Sequence, residues 1–325
     1  MKDFRVIDMH CDTIPELLRS GKPFAENDLH VSLKKLEEGR YMAQCFAMFV
    51  YLEGDLHPFA TVNRYIDKYD EVMAENPGRI RKATTAEEIE ENARQGIISA
   101  ILTTEEGGIL EGQLENIDKL YDRGVRMMTL TWNFENELGY PNYLSRELIK
   151  ADTERGLKPF GFEAIGRMWD KGIIVDVSHL NDAGIYDVLS VARKPIVASH
   201  SNCRAIKDFP RNLTDDMILK LRDNGGIMGL NYCPEFISDN TDSDQLDDMV
   251  RHVKHVRDLA GIETIALGGD FDGIETPKGL TDCGKMNLLY DALVREGFTQ
   301  QEIDCMFYRN FLRVLKANEV QDIKK

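Results

Sequence analysis

Short apolar runs recur along the chain, and each is followed by a longer amphipathic stretch. The runs are rich in Ile, Val and Leu and mostly lack strict alternation, which is typical of strands that are buried on both faces. They predict eight strands, at residues 4–8, 43–52, 96–104, 125–132, 172–179, 195–200, 225–232 and 264–271.

The stretches between these runs predict helices, and three of them have clear end signals. Residues 57–76 precede a Pro-Gly pair, residues 213–224 begin near the N-cap candidate Thr214, and residues 242–261 end on a glycine. The segment from residue 286 to residue 325 is expected to form two further helices against the bottom or side of the fold.

Eight strands that alternate with helices predict an α/β fold, a (β/α)₈ TIM-like barrel with its metal site at the C-terminal ends of the strands. An open doubly wound sheet is the alternative, but no glycine-rich phosphate loop follows any of the predicted strands. No linker, internal repeat or shift in composition marks a second domain. We therefore expect residues 1–325 to form a single metal-dependent hydrolase barrel domain.

Histidines and carboxylates lie where the predicted strands end, which is where barrel enzymes place their active sites. Five of the eight strand ends carry such residues: His10 and Asp12, Glu105 and Glu106, His179, His200, and Asp270 and Asp272.

The spacing of His10 and Asp12 has a physical reason, because residues two apart in a strand point to the same side. Imidazole and carboxylate together suit Zn²⁺, Mn²⁺ or Fe²⁺ better than Mg²⁺ or Ca²⁺, which prefer oxygen ligands. His179 and His200 would add two nitrogens from neighbouring strands. A carboxylate from the third predicted strand would bridge two metals, and the spacing alone does not choose between its two adjacent glutamates.

Each of these features alone has a plainer explanation. A lone His-x-Asp is more often a surface pair, a single histidine is more often a core residue, and Asp270 or Asp272 would make an ordinary helix cap. Unrelated core or capping residues would not select the same end of successive strands, however. The remaining histidines lie outside the pattern and are interpreted as surface or helix-face residues: His30, His57, His252 and His255.

Composition narrows the possible partners. The chain has 325 residues, 42% hydrophobic content and a net charge of −16, and this negative charge disfavours nucleic acid and anionic membranes as partners. No apolar run is long enough for a membrane span, and we expect no secretory leader before the first strand. The six cysteines form no Cys-x-x-Cys pair and are expected to be reduced thiols in a cytoplasmic protein.

The chain resembles the renal (membrane) dipeptidase family of zinc metallopeptidases nearly from end to end. The resemblance rests on the order and spacing of several motifs, which are IDMHCDT (7–13), SLKKLEEGRYMAQCFAMFV (32–50), EGG (106–108), MTLTWN (128–133), VDVSH (175–179), SHSN (199–202), RN (211–212) and GGDFDG (268–273).

The resemblance implies a dipeptidase with two zinc ions per chain, which hydrolyses dipeptides to free amino acids. His10 and Asp12 would bind one zinc ion, and His179 and His200 would bind the other. Glu106, directly before the two glycines, would bridge both ions. The catalytic aspartate would be Asp270, and Arg211 would bind the terminal carboxylate of the dipeptide.

Two substrate-binding positions depart from mammalian members of the family. Trp132 stands where they have a histidine that contacts substrate, and Phe236 lies near a substrate-contacting tyrosine. The side-chain preference is therefore open, as is acceptance of a C-terminal D-residue.

The alternative function is a barrel amidohydrolase acting on another amide, a lactone or a β-lactam. Arg211 would have no use in such an enzyme if the substrate had no carboxylate. A non-catalytic binding protein is disfavoured because every metal and catalytic position is retained. A homodimer is expected from the family.

Overall fold

A computed structural model describes residues 4–145 and 148–320. The described strands are Val6–Asp8 (β1), Tyr41–Phe49 (β2), Ile80–Lys82 (β3), Ile98–Glu105 (β4), Val125–Thr129 (β5), Tyr143–Leu144 (β6), Ile149–Lys150 (β7), Ile174–Asp176 (β8), Val197–Ala198 (β9), Ile227–Leu230 (β10) and Ile265–Leu267 (β11).

Eight of these strands form a closed parallel barrel. Their order is β2-β1-β11-β10-β9-β8-β5-β4, and pairing between β2 and β4 closes the ring. The β2–β4 register runs from Ala43 beside Ser99 to Phe49 beside Glu105, so that Phe49 and Glu105 reach the same edge of the barrel. Strand β3 pairs with the beginning of β4, and β6 and β7 form a separate antiparallel hairpin. The predicted fold class is confirmed.

The helices surround this barrel. They are Thr13–Ser20 (α1), Leu33–Glu38 (α2), Pro58–Glu75 (α3), Ala86–Arg94 (α4), Glu115–Asp122 (α5), Pro159–Lys171 (α6), Asp182–Val191 (α7), Asp215–Asp223 (α8), Pro234–Ile237 (α9), Leu246–Ala260 (α10), Met286–Arg295 (α11), Gln300–Asp304 (α12) and Asn310–Asn318 (α13). Short 3₁₀ segments lie at Gly107–Leu110, Ile262–Thr264 and Cys283–Lys285, and a π-helical turn at Cys305–Arg309 joins α12 to α13.

Strand alternation divides the core into two layers. An inner layer inside the barrel contains Ile7, Cys45, Ile101, Met127, Ile174 and Ile227. A larger outer layer lies between the strands and the helices, and it contains the neighbouring strand residues such as Val6, Phe46, Leu102 and Met128. Because successive residues of a strand point to opposite faces, each strand contributes to both layers.

The C-terminal helix α13 closes the barrel opposite the predicted site. Phe311 and Leu315 belong to the inner layer. Asn310 donates to the carbonyl of Ile265 at the start of β11, and Asn318 donates to the carbonyl of Pro195 just before β9. The N-terminal end of the barrel is thereby filled with apolar side chains, and the C-terminal end is left to polar ones. Among the described residues, no helix is long and apolar enough to cross a membrane.

Candidate metal centre

Side chains from five strand ends meet at the C-terminal mouth of the barrel. The Nε2 atom of His10, which follows β1, lies 3.3 Å from Oε2 of Glu105 at the end of β4. The same nitrogen lies 3.6 Å from Oδ2 of Asp12 and 3.8 Å from Oδ1 of Asp270, which follows β11. One imidazole nitrogen therefore faces three carboxylates, and all four side chains are buried.

Two further histidines face the other carboxylate oxygen of the same glutamate. Oε1 of Glu105 lies 3.2 Å from Nε2 of His179, which follows β8, and 3.5 Å from Nε2 of His200, which follows β9. The two Nε2 atoms are 2.9 Å apart. Glu105 thus uses one oxygen toward His10 and the other toward His179 and His200, the arrangement that a bridging carboxylate requires.

The structure places Glu105, and not the Glu106 that the resemblance implied, among the histidines. Glu106 turns away from the histidines: its Oε1 accepts from the Gly108 amide at 2.7 Å and from the Asn136 side chain, and its Oε2 accepts from the Trp132 amide at 2.8 Å. Strand alternation is the reason. Ile101 lies in the inner layer, so that Glu105, four residues later, faces the barrel axis, whereas Glu106 leaves the strand with a φ of 88°.

The cluster concentrates negative charge in a buried space. Burial raises the pKa of Asp12 to about 6, with the charge of Glu105 adding to the effect and His10 opposing it. Burial also raises the pKa of Asp270 to about 8, with Asp12 and Glu105 adding and His10 opposing. Burial opposes the charge of Glu105 as well, but His10 and His179 outweigh it and hold the pKa of Glu105 well below its usual range. A bound cation would relieve this crowding of carboxylates.

The donor atoms fit a zinc-type metal. Within the described ranges, the buried atoms His10 Nε2 and Asp12 Oδ1 have no hydrogen-bond partner, although buried polar atoms nearly always have one. Two overlapping groups bring their ligand atoms within 4.8 Å of one another, His10 with Glu105 and His200, and His10 with Asp12 and Asp270. Imidazole nitrogens and carboxylate oxygens are the usual ligands of zinc in hydrolytic sites.

Neighbouring polar groups orient these side chains. Asn133 Oδ1 lies 2.9 Å from Nδ1 of His179, and Ser199 Oγ lies 2.8 Å from Nδ1 of His200. Asn231 donates to Oδ2 of Asp270 at 3.1 Å, which leaves Oδ1 toward His10. Sequence reasoning missed these partners. Ser199 stands within a quoted motif, but nothing in the chain order shows which atom it contacts.

Asp272 and Asp270 both follow β11, but their carboxylates contact different groups. The Asp272 carboxylate accepts from Thr13 Oγ1 at 2.7 Å and from the amides of His30 and Val31. It therefore anchors the segment before α2 to the start of α1. This contact set distinguishes the two aspartates, as the resemblance also does.

Arg211 lies beside the histidine cluster, on the segment between β9 and α8. It is 4% exposed, its Nη2 donates to the carbonyl of His200 at 3.1 Å, and its Nη1 donates to Ser201 Oγ at 3.3 Å. Its Nε is buried without a hydrogen-bond partner in the described residues, and its guanidinium lies 5.7 Å from the ring centre of Phe236. Such a buried cation with spare donor capacity suits an anionic group of a ligand.

A cavity of about 600 Å³ opens above the cluster. Its polar lining includes Asp12, Glu105, His179 and Asp270. One apolar wall consists of Phe49, Tyr51 and Trp132, with Phe236 also in the lining. The Trp132 ring centre lies 5.0 Å from that of Phe49 and 6.1 Å from that of His179, so Trp132 lies beside the histidine cluster.

A barrel with a buried cluster of histidines and carboxylates at its C-terminal mouth defines the class of metal-dependent hydrolase barrels. The model of one family, the membrane dipeptidase family (peptidase family M19), matches residues 1–325. The chain belongs to this family and is a metallo-dipeptidase.

Two relatives are similar to the chain over most of its length. A protein of Schizosaccharomyces pombe, named as an uncharacterized dipeptidase, is 30% identical over 343 aligned positions that cover 98% of this chain and 82% of that protein. A Klebsiella pneumoniae protein, named only by its place in the pqqA 5′ region, is 32% identical over 255 positions, 76% of this chain and 92% of that protein.

Solved structures agree on the fold. Dipeptidase AC, a metallopeptidase of family M19, has a TM-score of 0.92 at 23% identity and covers 98% of this chain and 99% of its own. A metallopeptidase of Rhodobacter sphaeroides, solved with a phosphinate mimic of the dipeptide L-Ala-D-Ala, has a TM-score of 0.91 at 22% identity and covers 98% of this chain and 100% of its own.

Proposed function

We propose that the chain hydrolyses dipeptides to free amino acids with two zinc ions. His10 and Asp12 would hold one ion, His179 and His200 the other, and Glu105 would be shared between them. The observation that supports this best is the position of Glu105, whose Oε2 faces His10 and whose Oε1 faces His179 and His200.

Bound zinc ions would supply Lewis acidity toward the scissile carbonyl and would lower the pKa of an attacking water. Asp270 would handle the protons. Its Oδ2 is held by Asn231, and its Oδ1 faces the cluster, where it would accept the proton of the attacking water and pass it to the leaving amine. The carbonyl carbon gains the water oxygen, the C–N bond breaks, and the amine leaves with the transferred proton.

Arg211 would bind the C-terminal carboxylate of the substrate. A paired guanidinium and carboxylate form two parallel charge-assisted hydrogen bonds, which fix the position of the scissile bond relative to the charge. The cavity of about 600 Å³ falls within the usual range for small-molecule sites. A fixed carboxylate in a cavity of this size favours dipeptides over longer peptides.

The aromatic wall would contact a substrate side chain. Trp132 offers a large apolar face where a histidine would offer a polar one, and Phe236 packs beside Arg211. Both residues are proposed as substrate-binding residues. Acceptance of a C-terminal D-residue is part of the proposal, because the Rhodobacter sphaeroides structure of the same fold holds a mimic of L-Ala-D-Ala.

A panel of dipeptides tests the proposal. The zinc-loaded chain should hydrolyse free L,L-dipeptides and L,D-dipeptides, and should lose most of its efficiency on the same dipeptides with an amidated C-terminus. Equal rates on free and amidated dipeptides would reject the role of Arg211. Hydrolysis of lactones or β-lactams in preference to every dipeptide would favour the broader amidohydrolase activity instead.

A further inference from the structure

We propose that Asp176 and Ser199 are positioning residues that fix the protonation pattern of the His200 ring, with the hydrogen on Nδ1 and the bare lone pair of Nε2 turned to the metal centre. This inference deepens the proposed function and rests on it for the identity of the metal, but the ring orientation itself follows from hydrogen-bond counting.

Asp176 ends β8 and is fully buried beneath the histidines. Its Oδ1 accepts from the amides of Ser178 at 3.0 Å and Ser199 at 2.8 Å. Its Oδ2 accepts from Thr129 Oγ1 at 2.6 Å and lies 2.5 Å from Ser199 Oγ. As a carboxylate, Asp176 has only acceptor capacity, so each short contact needs a hydrogen from its neighbour.

The single hydroxyl hydrogen of Ser199 can lie in only one place. Ser199 Oγ is 2.5 Å from Asp176 Oδ2 and 2.8 Å from His200 Nδ1. If the hydrogen pointed to His200, two acceptor oxygens would face each other at 2.5 Å with nothing between them. The hydrogen therefore lies toward Asp176, and Ser199 Oγ must accept its other bond from Nδ1–H of His200.

The hydrogen bonds of the neighbouring Ser178 agree with this assignment. The Oγ atom of Ser178 accepts from the amide of His200 at 3.1 Å and lies 3.3 Å from Ser199 Oγ. Its own hydrogen is therefore available to Ser199. Each hydroxyl then donates once, and every donor in the group has an acceptor. With Asp176 ionised, this assignment joins a donor to an acceptor in every contact of the two hydroxyls and of His200 Nδ1.

His179 and His200 therefore differ in the groups that bind their Nδ1 atoms. His179 turns its Nδ1 to the neutral amide oxygen of Asn133, whereas His200 reaches a buried carboxylate through one hydroxyl. A hydrogen bond that ends on a carboxylate makes the ring nitrogen on the metal side a stronger ligand, and loss of such a partner usually weakens metal binding by about 10–100-fold.

Two measurements on the full-length chain test this inference. Long-range ¹H–¹⁵N spectra at about pH 8, where free imidazole is neutral, are recorded with and without zinc and assigned with a His200→Gln variant. We expect His200 to be protonated at Nδ1 in both states. Protonation at Nε2 in the zinc-free chain would overturn the inference. This result is read from the wild-type chain, and the variant serves only to assign the His200 signal.

The second measurement is the zinc dissociation constant from competition with a chelator. Ser199→Ala should weaken zinc binding by about 10–100-fold, whereas the control Ser178→Ala, which removes a neighbouring hydroxyl that does not contact the ring, should leave it within about threefold. Equal affinity in wild type and Ser199→Ala would contradict the inference. If even the wild type binds no zinc, the proposed metal centre fails, while the spectra still decide the ring orientation.

Discussion

His10 and His252 are both almost completely buried, yet their surroundings differ. His252, on α10, accepts from the amide of Cys203 at Nδ1 and donates from Nε2 to the carbonyl of Ile237. His10 instead turns an unpartnered Nε2 toward Asp12, Glu105 and Asp270. Backbone groups bind both nitrogens of the His252 ring, whereas Nε2 of His10 faces three carboxylates and has no hydrogen-bond partner among the described residues. Burial alone therefore does not mark a candidate ligand, whereas a buried nitrogen that lies without a partner among carboxylates does mark one.

The largest expected effect separates the two glutamates at the end of β4. Glu105→Gln removes the charge that faces three histidines, and we expect kcat/KM to fall by about 10³-fold or more, with zinc content reduced, because the lost interaction is worth several kcal/mol. Steady-state kinetics and metal analysis on the same sample measure this.

Glu106→Gln is the matched control. Its amide nitrogen would face backbone and side-chain donors, so the variant should lose about 1–3 kcal/mol of unfolding free energy but keep its zinc. If Glu106→Gln lost zinc and Glu105→Gln kept it, the assignment from the resemblance would be right and the one drawn from the geometry wrong.

Asp270→Asn should lower kcat by about 10²–10⁴-fold, the usual worth of a positioned acid or base, while zinc content stays nearly unchanged. The shape is kept and only the basic oxygen is lost. Asp272→Asn is the control. Because Asp272 accepts hydrogen bonds from Thr13 and from the His30 amide, this variant should mainly lower the free energy of unfolding and have a smaller effect on kcat. Loss of zinc in proportion to activity in Asp270→Asn would make Asp270 a ligand.

Arg211→Ala should raise KM for free dipeptides by about 10–100-fold, since a charge-assisted hydrogen bond is worth about 1.5–3 kcal/mol. Its zinc content should not change. Dipeptides with an amidated C-terminus offer an internal control, because the variant and the wild type should treat them alike. Unchanged KM for free dipeptides would show that Arg211 only supports the loop around Ser201.

The effect on activity is expected to be smallest at the structural histidine, where the change concerns stability. Burial lowers the pKa of His252 to about 4, and the hydrogen bond to the carbonyl of Ile237 opposes this only in part. The unfolded chain takes up this proton near pH 6.5, so the folded state should lose about 3 kcal/mol of stability as the pH falls from about 6.5 to 4.

His252→Gln isolates that contribution. The difference in unfolding free energy between wild type and variant should shrink over this pH range, with the variant less stable at pH 7. A difference that stays constant with pH would mean that His252 titrates normally in the folded chain. Zinc affinity should be unaffected, which separates this histidine from His10.

Most of the fold could be predicted from the sequence because buried parallel strands give unbroken apolar runs. The predicted strands are longer than the observed ones, however. The run 172–179 is strand only over Ile174–Asp176, because the Asp176 carboxylate binds the Ser178 amide and turns the chain toward the site. A local pattern does not show such a turn.

The sequence could predict which strand ends carry the candidate site, but not which way each side chain points. Two consecutive glutamates look alike until the register of β4 is known, and that register turns Glu105 toward the barrel axis. The supporting Asn133 and Asn231 lie in loops whose partners are distant in sequence. The single barrel domain, the homodimer and the cytoplasmic location stay predictions.

Titration of the metal-depleted chain with zinc, with hydrolysis of a free dipeptide followed at each step, tests the central claim most directly. Hydrolysis should be absent without metal and should rise to a plateau at about two zinc ions per chain, the number that one shared carboxylate between two sites supports. Full hydrolysis in excess chelator, or a zinc-saturated chain that cleaves no dipeptide, would contradict it.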